Sequence, residues 1–194
     1  MIKTRKNLKS NVRGASLPEF ALILPILSLL LFSMLEMGYL MWQFQQGSIA
    51  SKKAVRIAAT RTLVTPGAIP DCGPATPSSA VAGTRCSDIP DFSLWATCRG
   101  DGSGDAACGP DVARVGTEVG RFYPAVQPED IVIELSGGGL GFVGMGRPVP
   151  VVTVSFENVE FDFIVLGVLA DILPIQMPSM SASAAAEDLQ NGGG

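Results

Sequence analysis

The chain has 194 residues, of which 47% are hydrophobic and only 16% are charged, and its formal net charge at pH 7 is −4. This composition excludes a disordered chain and is typical of one ordinary domain joined to an apolar segment. The sequence contains no histidine, which excludes His-dependent general base catalysis and His metal ligation, so we expect no enzyme activity, no cofactor and no metal site.

The charges divide the chain into a basic start and an acidic remainder. Residues 1–14 contain no acid and five cations, which are Lys3, Arg5, Lys6, Lys9 and Arg13. Subtracting these five from the 14 basic side chains leaves nine against 18 acidic ones, a net charge of about −9. Because nucleic-acid affinity depends mainly on basic contacts with phosphate, we expect no nucleic-acid partner.

The stretch from Phe20 to Trp42 predicts a transmembrane helix. It is 23 residues long, and Glu36 is its only charge. As a helix it would measure roughly 34 Å, enough to cross a hydrocarbon core of about 30 Å. A secretory signal peptide has a shorter apolar region of about 7–15 residues, so we expect the segment to stay in the membrane. The cations before it place the N-terminus in the cytoplasm and the later residues outside.

Two carboxylates interrupt this apolar pattern. Glu19 lies at its inner edge, and Glu36 follows 17 residues later, roughly 25 Å along a helix. A charge at mid-bilayer costs at least ~2.5 kcal/mol, so both residues are functional candidates. For Glu36 a second interpretation is equally open, because near the outer interface its carboxylate can reach headgroups or water.

The junction between the basic leader and the helix reads Arg13-Gly14-Ala15-Ser16-Leu17-Pro18-Glu19-Phe20. It resembles the prepilin peptidase site of type IV pilins, in which cleavage follows the Gly. It is most similar to the TadE-like family of the tight-adherence (Flp-type) pilus systems. Pro25 in the apolar run and Gly38 after Glu36 also resemble that family, although Met37 stands where an aromatic residue is usual.

The resemblance implies a minor pilin or pseudopilin that helps assemble a pilus for surface adherence. A prepilin peptidase would cut between Gly14 and Ala15, within a processing motif that includes Glu19 and Phe20. Glu19 would then lie one helical turn from the new amine of Ala15 and could neutralise it, or the amine of a neighbouring subunit.

The implied partners are the bacterial inner membrane, the prepilin peptidase, other pilins and pilus assembly proteins. The positions assigned to assembly and helix packing are Glu19, Pro25, Glu36 and Gly38. The alternative function is a single-pass, membrane-anchored extracytoplasmic module that binds a ligand.

The helix is predicted to continue to about Leu63, where Thr65-Pro66-Gly67 stops it. Gly47, Ser48 and Ser51 form a small-residue face that would pack either on another helix or on the chain's own domain. The predicted organisation is a basic leader at 1–14, a pilin-like helix at 15–63, a Cys-, Gly- and Pro-rich loop region at 64–110, an extracytoplasmic α+β domain at 111–187 and a flexible tail at 188–194.

Four cysteines lie in the loop region, namely Cys72, Cys86, Cys98 and Cys108. An even number in an exported region predicts two disulfides with three possible pairings, and free thiols are the alternative. Asp101-x-Ser103-x-Asp105 resembles a calcium loop but lacks that loop's Gly and final Glu, so we interpret it as a turn.

The remaining residues predict a small antiparallel sheet of three or four strands, and the fold class is therefore α+β with a long N-terminal helix. Asp111 is expected to cap a helix that ends at Phe122. Strands are expected at 131–135, 149–156 and 177–184, and the glycine-rich residues 139–144 are interpreted as a loop. The apolar stretch 161–175 has an uncharged core that is too short to span a bilayer, so it is either a buried connection or an exposed partner surface.

Overall fold

The computed structural model describes residues 16–65, 81–88, 94–137, 141–143, 150–170 and 172–185. The predicted leader 1–14, Ala15, Cys72 and the predicted tail 188–194 lie outside these ranges.

Within the described residues, helices and strands follow one another in an α+β arrangement, as predicted. They are α1 (Ser16–Ala59), β1 (Leu94–Arg99), α2 (Val112–Phe122), β2 (Ile131–Gly137), β3 (Pro150–Phe156), β4 (Glu160–Phe161), α3 (Val165–Ala170), β5 (Ile175–Gln176) and β6 (Met180–Ala185). The chain forms two compact units, one of Met1–Leu40 with Asp162–Leu173 and the other of Met41–Phe161 with Pro174–Gly194.

The first unit contains the apolar part of α1. This helix has 44 residues and a rise of roughly 66 Å. Its leucine-rich sequence favours a helix, and after the first turn the only residues that disfavour one strongly are Pro25 and two later glycines. Its most apolar 18-residue window has a mean hydropathy of 2.2 and is almost entirely unburied. Among the described residues, α1 is the one helix long and apolar enough to cross a membrane.

The second unit is built on a four-stranded antiparallel sheet in the order β1-β2-β3-β6. In β3 the residues alternate between buried and partly exposed, because successive side chains of a strand point to opposite faces. Val154 pairs with Ile133 of β2 and Ala182 of β6, so β3 carries the central part of the core. Strands β4 and β5 form a separate two-stranded pair.

Two helical segments complete the core of this unit. Helix α2 buries Val112, Val115 and Val119, which recur at helical spacing on one face. The last part of α1 contributes small and β-branched buried side chains, which are Ala50, Ala54, Val55 and Ala58. Tyr123, at the end of α2, stacks on Phe156 with ring centroids 5.7 Å apart.

Helix α1 ends at Ala59, four residues before the predicted end at Leu63. The Thr60 N–H bonds to the carbonyl of Ile57 at 3.3 Å, a three-residue spacing that tightens and closes the last turn. Leu63 is fully buried, and its carbonyl accepts the Gly109 N–H at 2.7 Å. The local pattern favours a helix at Leu63, but its burial and its hydrogen bond with Gly109 hold it outside the helix.

Helix α2 has the predicted bounds, because it starts after Asp111 and ends before Tyr123. Asp111 occupies the N-cap position, but the predicted side-chain cap is wrong, since its carboxylate accepts no backbone N–H from the first turn of α2. That carboxylate instead accepts the Thr62 N–H at 3.3 Å and pairs with Arg114 at 3.2 Å. The acid thus links the start of α2 to the residues after α1.

Strand β1 lies in the region that was predicted to be loop. It pairs antiparallel with β2, with a register irregularity between Leu94 and Ala96. Strand β6 begins at Met180 rather than at Met177, whose N–H instead bonds to the Val159 carbonyl at 2.8 Å. Within the glycine-rich motif, Phe142 forms an isolated antiparallel bridge with Arg85, which agrees with an extended loop.

Candidate functional site

Glu19 lies in the first turn of α1, and its side chain is exposed. The ion pairs in the described part of the chain are Arg61–Glu118 and Arg114–Asp111, so Glu19 has no ionic partner there. Its position favours a carboxylate, because the unpaired N–H groups at a helix N-terminus carry partial positive charge. Gly14 and Ala15 lie outside the described residues.

Pro25 and Gly38 also lie on the part of α1 that the rest of the described chain leaves uncovered. Pro25 lies inside the helix and has no N–H to donate to the carbonyl four residues earlier. A Cβ atom at Gly38 would meet nothing within 4 Å. Packing against the described residues therefore does not explain why a residue without a side chain stands at this position.

A broad apolar surface surrounds these positions. Large hydrophobic side chains of α1 remain exposed along its whole first half, among them Phe20, Leu22, Ile23, Ile26, Leu27, Leu30, Leu31, Met34 and Leu35. A soluble monomer rarely exposes so extensive a patch, so this part of α1 requires an apolar environment outside the chain.

Glu36 has different surroundings, because its side chain is only 7% exposed. Its Oε1 atom accepts a short hydrogen bond from the Val165 N–H. The Leu166 N–H lies 3.2 Å from Oε1 and 3.3 Å from Oε2. The carboxylate therefore binds the first two backbone N–H groups of α3.

This contact satisfies both partners electrostatically. The first N–H groups of a helix have no acceptor within the helix, and a carboxylate near them is favoured by their partial positive charge. A buried carboxylate in turn requires hydrogen-bond donors. In the described chain the Glu36 carboxylate is buried against protein N–H groups rather than open to water, and its role in assembly stays a prediction.

The segment that contributes these N–H groups is exposed rather than buried. Val168 is 84% exposed and Leu173 is 78% exposed, and Ile164 is also exposed. For residues 161–175 these side chains favour an exposed surface over a buried connection, apart from the buried Phe161 at its start. That a partner covers this surface stays a prediction. The sequence did not identify Val165 and Leu166 as partners of Glu36, because backbone donors leave no residue-type signal.

The three cysteines that the structure describes are disulfide-bonded, as predicted, and are not free thiols. Cys98 in β1 is bonded to Cys108, ten residues later. Cys86 is also disulfide-bonded, and Cys72 lies outside the described residues. The disulfide between Cys98 and Cys108 closes the turn that contains Asp101 and Asp105.

Both acids of that turn accept hydrogen bonds from backbone N–H groups of the turn or of β1. Asp101 accepts the Ser103 N–H at 2.8 Å. Hydrogen bonding with the Ser103 side chain, and secondly with this backbone N–H, lowers the pKa of the Asp101 carboxyl below its usual value. Asp105 accepts the Thr97 N–H at 2.7 Å. These contacts support the interpretation of the segment as a turn, and no cluster of potential metal ligands occurs in the described parts of the chain.

Together these features define the class: an α+β protein whose N-terminal helix is long and apolar enough to span a membrane. A family model described as TadE-like protein matches residues 14–56, so the chain carries a TadE-like N-terminal segment and the predicted resemblance is confirmed there. Comparisons with curated proteins and with solved structures give no match.

Proposed function

We propose that this chain is a TadE-like minor pilin or pseudopilin that functions in assembly of a tight-adherence type IV pilus. The observation that carries the proposal is the position of Glu19. It is an exposed acid in the first turn of an uncovered apolar helix, five residues after Gly14, inside the segment that the TadE-like model matches.

The electrostatics of processing support this role. Cleavage after Gly14 removes five cations and makes Ala15 the new N-terminal residue, whose amino group carries a positive charge at the inner membrane interface. Glu19 lies about one helical turn away, close enough to compensate that amine or the amine of an adjacent subunit. Placing both charges near hydrocarbon costs less when they are paired.

The surface of α1 supports a role in helix packing. Gly38 lets another helix approach its backbone closely, since nothing in the described chain occupies that space. Pro25 lies in the apolar half of the same helix, where neighbouring helices can compensate for the missing backbone bond. The proposed role is structural, with the prepilin peptidase, other pilins and pilus assembly proteins as partners.

The proposed topology places the N-terminus in the cytoplasm, α1 in the inner membrane and the disulfide-bonded unit in the periplasm. The basic residues before α1 favour this orientation. The disulfide at Cys98 is consistent with it, since disulfides persist in oxidising compartments.

N-terminal sequencing of the membrane-purified protein tests the processing step. In cells with active prepilin peptidase the mature chain is expected to begin at Ala15. Gly14→Leu should retain Met1, whereas the matched variant Gly38→Leu, which makes the same change far from the junction, should still begin at Ala15. A wild-type chain that begins at Met1 would contradict the proposal.

Co-purification separates this proposal from a membrane-anchored binding module. Pilus assembly proteins should accompany the detergent-extracted chain if it is a pilin component. A specific small ligand or calcium, without those proteins, would instead support the binding module.

A further inference from the structure

The contact between Glu36 and α3 fixes the depth of a second apolar segment. Glu36 lies 16 residues after Phe20, about 24 Å along α1, and a hydrocarbon core is about 30 Å thick. In the proposed transmembrane placement, the Glu36 carboxylate therefore lies in the outer leaflet. The N–H groups of Val165 and Leu166 bind that carboxylate and must lie at the same depth.

The composition of this segment suits that depth. The eight residues Phe163–Ala170 carry no charge, and Asp162 and Asp171 stand on either side of them in the sequence. Eight residues are too few to cross a bilayer, so the segment must enter and leave on the same side. Asp162 would remain at the water interface while the apolar side chains after it enter the leaflet.

The exposed side chains and the backbone both agree with a lipid environment. Ile164 and Val168 are exposed although they are large and apolar, and they extend the uncovered apolar surface of α1 in the same compact unit. Backbone polar groups in hydrocarbon must be satisfied by protein. Glu36 supplies an acceptor for two of the N–H groups that the short helix α3 leaves unpaired at its start.

We propose that the apolar loop Asp162–Leu173 is a second membrane-contacting element, which lies in the outer leaflet with its apolar side chains among the lipid acyl chains. The Glu36 carboxylate holds it beside α1. This inference rests on the proposed function, because it requires α1 to be embedded in the membrane. It assigns Glu36 to a contact within the chain.

Fluorescence quenching by brominated lipids tests the proposal. The full chain, with Trp42→Phe and Trp95→Phe to remove its own tryptophans, is reconstituted into phosphatidylcholine vesicles brominated either near the headgroups or near the chain ends. Val168→Trp reports on the apolar loop, and Ile164→Trp, at a second exposed position of the same apolar stretch, is the reporter should the first variant fail to fold. Val81→Trp is the matched negative control, because Val81 is also a highly exposed valine, at 73%.

Leu30→Trp controls for the anchor itself, since Leu30 lies about 15 Å along α1 from Phe20, near the bilayer centre. We expect bromine near the chain ends to quench Leu30→Trp most strongly. Bromine near the headgroups should remove at least about half of the Val168→Trp emission, as expected for an interfacial apolar segment, and leave Val81→Trp unchanged.

The pattern of quenching distinguishes failure of the inference from failure of the anchor. If Leu30→Trp is quenched and both loop reporters are not, the apolar loop lies outside the lipid and the inference is wrong while the anchor stands. If Leu30→Trp is also unquenched, both are wrong. Loop emission that bromine leaves unchanged but that shifts on addition of pilus subunits would assign this surface to protein, and would likewise overturn the inference.

Variants of Glu36 test how the loop is held. Glu36→Ala removes the acceptor for the Val165 N–H, so quenching of Val168→Trp should fall while quenching of Leu30→Trp is unchanged. Glu36→Gln keeps one acceptor oxygen and should restore the loop quenching. Equal quenching of the loop reporter in the Ala variant and the parent would contradict the role of Glu36.

Discussion

Two glycines of α2 lie in contrasting surroundings. A Cβ atom at Gly116 would overlap the backbone of Gly100, whereas one at Gly120 would meet nothing within 4 Å. Gly116→Ala is therefore expected to lower the free energy of unfolding by about 1–3 kcal/mol, because backbone atoms cannot move aside. Gly120→Ala should raise it by roughly 0.5–1 kcal/mol through helix propensity. Urea unfolding in detergent micelles measures both, and effects of the same sign would contradict this packing.

The hydroxyl of Tyr123 is buried and has no hydrogen-bond partner in the described structure. Burial raises the pKa of Tyr123 above its usual value of about 10, because the ionised form is poorly solvated there. Ionisation of Tyr123 therefore costs more in the folded than in the unfolded chain, so it leaves the free energy of unfolding unchanged below pH about 10 and lowers it as the pH rises from there through the higher folded-state pKa.

Tyr123→Phe should remove this alkaline loss. At pH 7 the variant is expected to be more stable by about 1 kcal/mol, since an unpaired buried hydroxyl is unfavourable. The check is the urea midpoint of the parent and the variant between neutral pH and pH about 11, a range set by the usual tyrosine pKa. Parallel pH profiles for the two proteins would show that Tyr123 does not cause the loss.

At the scale of elements, the disulfide between Cys98 and Cys108 secures β1 to the turn that follows it. The double variant Cys98→Ala/Cys108→Ala should lower the free energy of unfolding by about 2–4 kcal/mol, because the cross-link restricts the unfolded chain. Ala106→Ser, an exposed change in the same turn, should have almost no effect. Equal urea midpoints for the double variant and the parent would contradict a stabilising role.

The elements that the sequence could predict are those with strong local patterns. Helix α2 has helical spacing of its valines, strands β2 and β3 are rich in β-branched residues, and the bounds of all three agree closely with expectation. Strand β1 was missed because its six residues lie in a region dominated by Pro, Gly and Ser, and because its order comes from non-local pairing such as Cys98 with Ile133. Local propensity does not record such a pairing.

The candidate site shows the same division. Gly14, Glu19 and Phe20 could be selected from the sequence, because their spacing before an apolar helix is itself the signal. The partner of Glu36 could not, since the acid and the Val165 N–H are 129 residues apart and the donor is backbone. Only the folded chain brings these two groups together.

At the scale of the whole molecule, assembly is the property that depends on Glu19. Glu19→Ala should permit membrane insertion and cleavage after Gly14 but abolish pilus formation, because the Ala15 amine would be left without its counter-charge. Glu134→Ala, which removes an exposed acid from β2, is the matched control and should leave piliation unchanged. Sheared surface filaments from both variants are compared by immunoblot, and normal filaments from Glu19→Ala would refute this role.

The long separation between Glu36 and α3 also sets an order of events during synthesis. At roughly 5–20 residues per second, the ribosome makes Val165 about 6–26 seconds after Glu36. In the proposed topology, α1 enters the bilayer before Val165 and Leu166, whose N–H groups bind the Glu36 carboxylate, have been translated. Closure of the carboxylate onto α3 is therefore a late step of biogenesis that completes an anchor already in place.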